Sequence, residues 1–157
     1  MQPYKKLFSL FLCLLLCVGI GWIGGIFTQS SIAIWYPTLI KAPWTPPNWT
    51  FPVVWTILYL MMGVSLWLVL IAPSHHKTNA VIIFGIQLLF NFIWSWLFFY
   101  MENPFLGMVD IMLLWIAIVA TIKVFSTHSR LAAYLLVPYL IWVTYAFTLN
   151  LFIWIYN

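Results

Sequence analysis

Asn91 lies in the middle of an apolar run of bilayer length, with Gln87 one helical turn before it and Ser95 one turn after. The i, i+4, i+8 spacing makes these three a narrow polar stripe on one side of a helix. Two carboxamides and a hydroxyl offer hydrogen-bond donors and acceptors, with neither nucleophile nor strong base among them. Polar groups are costly inside a bilayer, so the stripe must face a ligand or a partner helix. Two other runs carry central indoles. Trp55, Tyr59 and Met62 share a face at i, i+4, i+7, and Trp142, Ala146 and Leu149 do likewise, with Asn150 at the edge. If the three faces converge, they make a pocket with two indole walls and a polar floor. Such a pocket suits a flat, mostly apolar molecule with a few polar atoms. Periodicity alone weighs this equally against plain bundle packing, with Asn91 bonded to a neighbouring helix.

Other chemistry is poorly supplied. There is no Ser-His-Asp set, paired carboxylate, metal-ligand cluster or Gly-rich phosphate cradle, so hydrolytic and phosphoryl chemistry are disfavoured and no metal is expected. Asp110 is the one acid inside an apolar run; a structural hydrogen bond is favoured there over a proton relay. Cys13 and Cys17 lie i, i+4 on the first run and are read as packing residues. Bulky Leu14, Leu15 and Leu16 rule out a lipid-attachment site at Cys17.

The elements that must position these side chains follow from composition. Of 157 residues, 66% are hydrophobic and 5% charged, more apolar surface than a soluble domain of this size can bury. A spanning helix needs about 20 mostly apolar residues. Five runs qualify, at approximately 7–27, 51–71, 79–99, 105–125 and 131–156, in a single domain covering 1–157. The expected fold is therefore an all-α membrane protein, a bundle of five transmembrane helices. A signal-peptide reading of the first run, with Lys5 and Lys6 before it and Ser31 and Ala33 as a weak cleavage site, gives way to its full spanning length. Lys5, Lys6, Lys77, Lys123 and Arg130 fall on one side and only Lys41 on the other, which puts the N-terminus in the cytoplasm, the C-terminus outside, and His75, His76 and His128 in cytoplasmic loops. The net charge of +4 is too sparse for a nucleic-acid footprint. Gly21 and Gly25 form a small-xxx-small pair for close helix approach, and Gly85 lies on the third span.

The longest connection runs from about Gln29 to Thr50. Pro37, Pro43, Pro46 and Pro47 stiffen it, and Trp35, Trp44 and Trp49 suit the headgroup level. A long, ordered, stiff loop is read as a lid over a site in preference to a plain anchor.

Three blocks resemble the TspO/MBR family (tryptophan-rich sensory protein, translocator protein, peripheral benzodiazepine receptor). One contains Trp35, Tyr36, Leu39, Lys41, Trp44, Pro46, Pro47, Trp49, Phe51, Trp55, Thr56, Leu58, Tyr59, Met62 and Gly63. The second holds Gln87, Leu88, Asn91, Trp94, Phe98 and Phe99. The third holds Pro138, Tyr139, Leu140, Trp142, Val143, Ala146, Leu149 and Asn150. The resemblance covers almost the whole chain. It departs where the family has Lys-Pro and this chain has Lys41 and Ala42. Tyr156 is followed only by Asn157, so the cholesterol pattern of animal members is missing. The reversed pattern Arg130, Tyr134, Leu135 is weak, and sterol handling is not assigned.

The resemblance implies five transmembrane helices, a homodimer, and one pocket under the first loop that binds porphyrins such as protoporphyrin IX and synthetic isoquinoline and benzodiazepine ligands. Light-dependent porphyrin breakdown and stress sensing are attributed to the family; transport of tetrapyrroles is the alternative role. The expected ligand-binding residues are Tyr36, Pro46, Trp55, Tyr59, Asn91, Ser95, Trp142, Ala146 and Leu149. Trp55 and Trp142 are candidates for oxidation, and Lys41 is the candidate contact for porphyrin propionates. No cofactor is expected; porphyrin is ligand or substrate. Haem capture normally uses an axial His, Cys, Met or Tyr. With all three histidines in loops, metal-free porphyrin held by stacking is expected to fit better.

Overall fold

The computed structural model describes residues 2–74 and 76–157; His75, placed by the sequence in a cytoplasmic loop, lies outside the described residues. Helix α1 runs Pro3–Ile34, α2 Thr50–Ile71, α3 Thr78–Ser95, α4 Pro104–Ser126, α5 Arg130–Leu135 and α6 Val137–Tyr156. No strand occurs among the described residues. Five helical stretches are long and apolar enough to cross a membrane, α3 with the turn after it and α5 with α6 each counting as one.

Local chemistry explains the boundaries. Pro3 and Pro104 occupy first-turn positions, where the missing N–H costs nothing. The Asn103 and Ser129 side chains cap α4 and α5 by accepting from Leu106 and Ala132 N–H at 3.0 and 3.2 Å. At the end of α2, the Lys77 ammonium donates to the Leu70 and Ala72 carbonyls at 2.7 and 2.6 Å, satisfying orphan acceptors. The fifth stretch breaks at Leu136, because Pro138 lacks an N–H and its ring clashes with the carbonyl four residues back.

Helix α1 corrects the expected loop start. It continues through Gln29 to Ile34 and stops only where Pro37 disfavours helical backbone at Tyr36, so the connection begins at Trp35 rather than Gln29. A short 3-10 turn, Tyr36–Thr38, follows.

Helix α1 packs on α2 and α3, α4 packs between α3 and α6, and α5 closes against α2 and α4. The core centres on Met62, Val69, Ile118 and Leu136, with Phe84 and Phe125 stacked at 5.7 Å, and its buried hydroxyls are paired, Ser65 with the Ala132 carbonyl and Thr121 with the Ala117 carbonyl, each at 2.7 Å. Gly63 permits the closest α1–α2 approach: a Cβ there would lie 2.9 Å from Leu14 Cδ2 and 3.1 Å from the Cys13 carbonyl. Cys13 and Cys17 are free thiols buried in this seam. Leu7, Phe8, Phe11 and Leu15 on the outside of α1 are exposed, as are Ile82 and Leu89 on α3 and Ile116 on α4. This outward apolar surface is what a bilayer covers, and the chain is an integral, multi-pass membrane protein.

Candidate functional site

The polar stripe of α3 is the natural starting point. Asn91 is buried, and its carboxamide joins three helices: the Tyr59 hydroxyl of α2 donates to Oδ1, and Nδ2 donates to the Tyr139 hydroxyl of α6 at 2.9 Å. Tyr59 also stacks on Trp55, with ring centroids 5.6 Å apart. One N–H of Asn91 is left over. Both alternatives read from the sequence thus meet in one residue, because Asn91 bonds to neighbouring helices and also lines a cavity.

That cavity measures about 720 Å³, within the roughly 300–1,000 Å³ typical of ligand sites. Helix α2 contributes Phe51, Pro52, Trp55, Thr56 and Tyr59; α3 and its extension contribute Asn91, Trp94, Ser95, Phe98 and Phe99; α6 contributes Ala146, Leu149, Asn150 and Ile153. The α1 wall includes Gly21, Trp22, Gly25 and Ile26, and the connecting loop adds Tyr36, Asn48 and Trp49. Among the described residues, no charged side chain, histidine, cysteine or methionine lines the cavity. The wall is incomplete between α1 and α2: Trp22 and Trp49 line the cavity yet remain 72% and 68% exposed.

A π-helical turn, Trp96–Tyr100, extends α3 with a wide bond from Met101 N–H to the Trp96 carbonyl at 2.9 Å. Trp94, Ser95 and Phe98 continue the Gln87–Asn91 stripe at i+7, i+8 and i+11, and with Phe99 they line the cavity. Trp94 stacks on Phe98 at 5.3 Å, and its indole N–H donates to Asn150 Oδ1 at 3.1 Å. The Asn150 amide in turn donates to the Pro104 carbonyl at 2.8 Å. Trp94, Phe98 and Phe99 carried the resemblance but were not placed in the site by sequence reasoning; the i+3 and i+7 spacing of Trp94 and Phe98 from Asn91 is the signal that could have found the first two. Gly25 was read only as a packing glycine, yet a Cβ there meets nothing within 4 Å and would point into open space.

The structure brings Tyr36, Trp55, Tyr59, Asn91, Ser95, Ala146 and Leu149 together around the cavity, and leaves Pro46, Trp142, Lys41 and Gln87 off its lining. The reason lies in the path of the loop. It is a strap along α6: Ile40 pairs with Asn157, the Trp44 ring packs on Phe152, the Trp44 carbonyl accepts from the Tyr145 hydroxyl at 2.7 Å, and Phe51 reaches Trp142. Only the ends of the loop touch the cavity. Half-buried Pro46 sits in the strap, and Trp142 packs on Phe51 and Tyr145, its buried indole N–H without a partner among the described residues. In place of the expected pair Trp55 and Trp142, the indoles on the cavity are Trp22, Trp49, Trp55 and Trp94. The Lys41 ammonium donates to the Tyr36, Pro37 and Leu39 carbonyls at 2.9, 3.3 and 3.3 Å, which occupies all three of its protons. Gln87 is buried off the lining, with neither amide atom partnered among the described residues, so the α3 stripe reaches the cavity through Asn91 and Ser95 only. Asp110 is buried off the lining, and its Oδ2 likewise has no partner among them.

Tyr36 lies outside the spanning helices, buried against Phe98 and Ile153. Burial pushes its phenol above the ordinary value, with Tyr145 adding a smaller effect in the same direction. At neutral pH it is a neutral O–H at the cavity roof.

Comparison with known proteins agrees with this arrangement. Residues 13–155 match the TspO/MBR family. The chain belongs to the TspO/MBR family. It is similar to the tryptophan-rich protein TspO of Chlorobaculum tepidum, at 47% identity over 148 residues, covering 93% of this chain and 94% of that protein. The TspO of Archaeoglobus fulgidus is 40% identical, with 92% and 94% covered. The human translocator protein is 35% identical, with 84% and 80% covered. The five apolar helices and the tryptophan-rich site are in keeping with membership of TspO/MBR.

Proposed function

We propose that this protein binds metal-free porphyrin, such as protoporphyrin IX, and similar flat apolar molecules in the cavity between α1, α2, α3 and α6. The observation that carries the reading is the character of the lining, which is rich in indole and phenyl faces, has uncharged polar side chains such as Gln29, Tyr36, Asn48, Asn91, Ser95 and Asn150, and has no charge among the described residues. Stacking supplies the attraction, and the few polar atoms set orientation. Among the described residues the lining holds no His, Cys or Met to ligate iron; the hydroxyl of Tyr59 is engaged by Asn91, and burial disfavours the phenolate form of Tyr36. The metal-free ring is therefore favoured over haem. With Lys41 engaged in the loop, the propionates lie toward the loop end of the cavity, where Trp49 is exposed, rather than pairing with a cation inside. The charge asymmetry supports an orientation with the loop end of the bundle outside and the N-terminus in the cytoplasm.

The decisive experiment is a titration of protoporphyrin IX and of haem against the protein and its Gly25→Phe variant, followed by porphyrin absorbance and tryptophan fluorescence. The variant side chain enters open cavity space, so binding is lost while the melting temperature holds. Tight haem binding with an axial-ligand spectrum, or undiminished porphyrin binding by the variant, refutes the reading. Light-driven porphyrin loss is the second role the geometry supports, because Trp55 lies on the cavity and stacks on Tyr59. The ligand supplies the photochemistry and the protein the placement. Trp55→Phe keeps binding and slows that loss; equal decay in both proteins would assign the reaction to free porphyrin.

A further inference from the structure

Asn157 follows the last turn of α6, and its carboxamide is fully engaged. Its Oδ1 accepts from the Ile40 N–H at 2.9 Å, and its Nδ2 donates to the Ile40 carbonyl at 3.2 Å and the Ile153 carbonyl at 2.8 Å. Pairing with both backbone groups of one residue reproduces the reciprocal exchange of an antiparallel strand pair without a second strand. The bond to Ile153 ties the amide to the helix end, so the clamp has a fixed origin.

Next to Ile40, Lys41 caps the preceding turn. Its ammonium gathers the carbonyls already described and lies 5.0 Å from the centroid of the Tyr36 ring. Tyr36 meets Ile153 and Phe98 in a small cluster at the cavity roof. The turn that carries Tyr36 is thus held internally by Lys41, and is held to α6 by Asn157.

We propose that Asn157 is a positioning residue for the ligand site, acting through Ile40 to seat the Tyr36 ring and hydroxyl against the cavity. The inference rests on the cavity being the ligand site. Asn157 is not a lining residue, so its effect on a ligand is indirect; Ile153, which it also bonds, lines the cavity, and the double variant with Tyr36 separates the two routes.

The test uses the full chain in lipid nanodiscs, with protoporphyrin IX as the probe. Four proteins are titrated: wild type, Asn157→Ala, Tyr36→Ala and the double variant. Asn157→Ala weakens porphyrin binding on the order of tenfold, the scale of two exposed hydrogen bonds. Tyr36→Ala weakens it as well, and the double variant binds no worse than Tyr36→Ala, because the two residues act in series. Asn157→Asp, which keeps the acceptor and loses the donor, falls between wild type and Asn157→Ala. Hydrogen exchange at the Ile40 amide, read without any ligand, accelerates in Asn157→Ala. Additive losses in the double variant, unchanged affinity in Asn157→Ala, or unchanged Ile40 exchange overturn the inference. Wild-type protein that takes up no porphyrin removes the functional reading and the ligand role together. Wild type that binds, beside an Asn157→Ala variant that binds equally well, overturns this inference alone.

Discussion

Gly21 and Gly25 form one small-xxx-small pair, and the structure predicts opposite outcomes for the same substitution. A Cβ at Gly21 collides with the Tyr59 ring, whereas a Cβ at Gly25 meets nothing within 4 Å. The Tyr59 ring has little freedom to yield, since it stacks on Trp55 and its hydroxyl is bonded to Asn91. Overpacking of this kind costs about 1–3 kcal/mol. Replacing glycine by alanine within a helix also returns about 1 kcal/mol, and that gain is common to both sites. The difference between Gly21→Ala and Gly25→Ala therefore isolates the collision, at about 1–3 kcal/mol, with Gly25→Ala neutral or slightly stabilising. Unfolding both variants in parallel in one detergent, followed by helical circular dichroism, measures it. Gly21→Ala also displaces Tyr59 and Trp55 and so weakens porphyrin binding. Equal stability of the two variants would refute the close α1–α2 crossing at Tyr59, and with it the α1 wall of the cavity.

Three further outcomes are expected. Asn91→Leu strands the Tyr59 and Tyr139 hydroxyls and lowers stability by about 1–3 kcal/mol in the same unfolding assay; a neutral result would mean that the amide does not join the three helices. Trp142→Phe leaves porphyrin affinity within about twofold, because the ring lies behind Phe51; a large loss in fluorescence titration would return Trp142 to the cavity. The Tyr36 phenol titrates above its ordinary value of 10.0 in the folded protein, so its contribution to stability is complete below about pH 10 and is lost as pH rises through the folded value. Tyr36→Phe accordingly removes part of the alkaline loss of stability, and an unchanged profile of unfolding against pH would contradict the burial of that hydroxyl.

The sequence by itself determined the class of the molecule, five apolar stretches and the residues that carry the family resemblance. It could do so because hydrophobicity over about 20 residues and the order of tryptophans, prolines and amides along the chain are local quantities. Within α3 the stripe could be drawn, but which of its members reached a cavity could not, and Gln87 fell off the lining while Asn91 and Ser95 belong to it. Helical spacing assigned Trp142 and Ala146 to one face; the strap laid along α6 separated them by bringing Phe51 against Trp142. Only the tertiary structure decided that Lys41 spends its protons on loop carbonyls and that Asn157 reaches back to Ile40. The first depends on the path of a loop that no periodicity describes, and the second on residues 117 positions apart in the chain. A cavity is the space several helices leave between them, so its walls follow from how those helices pack and not from the periodicity of any one of them.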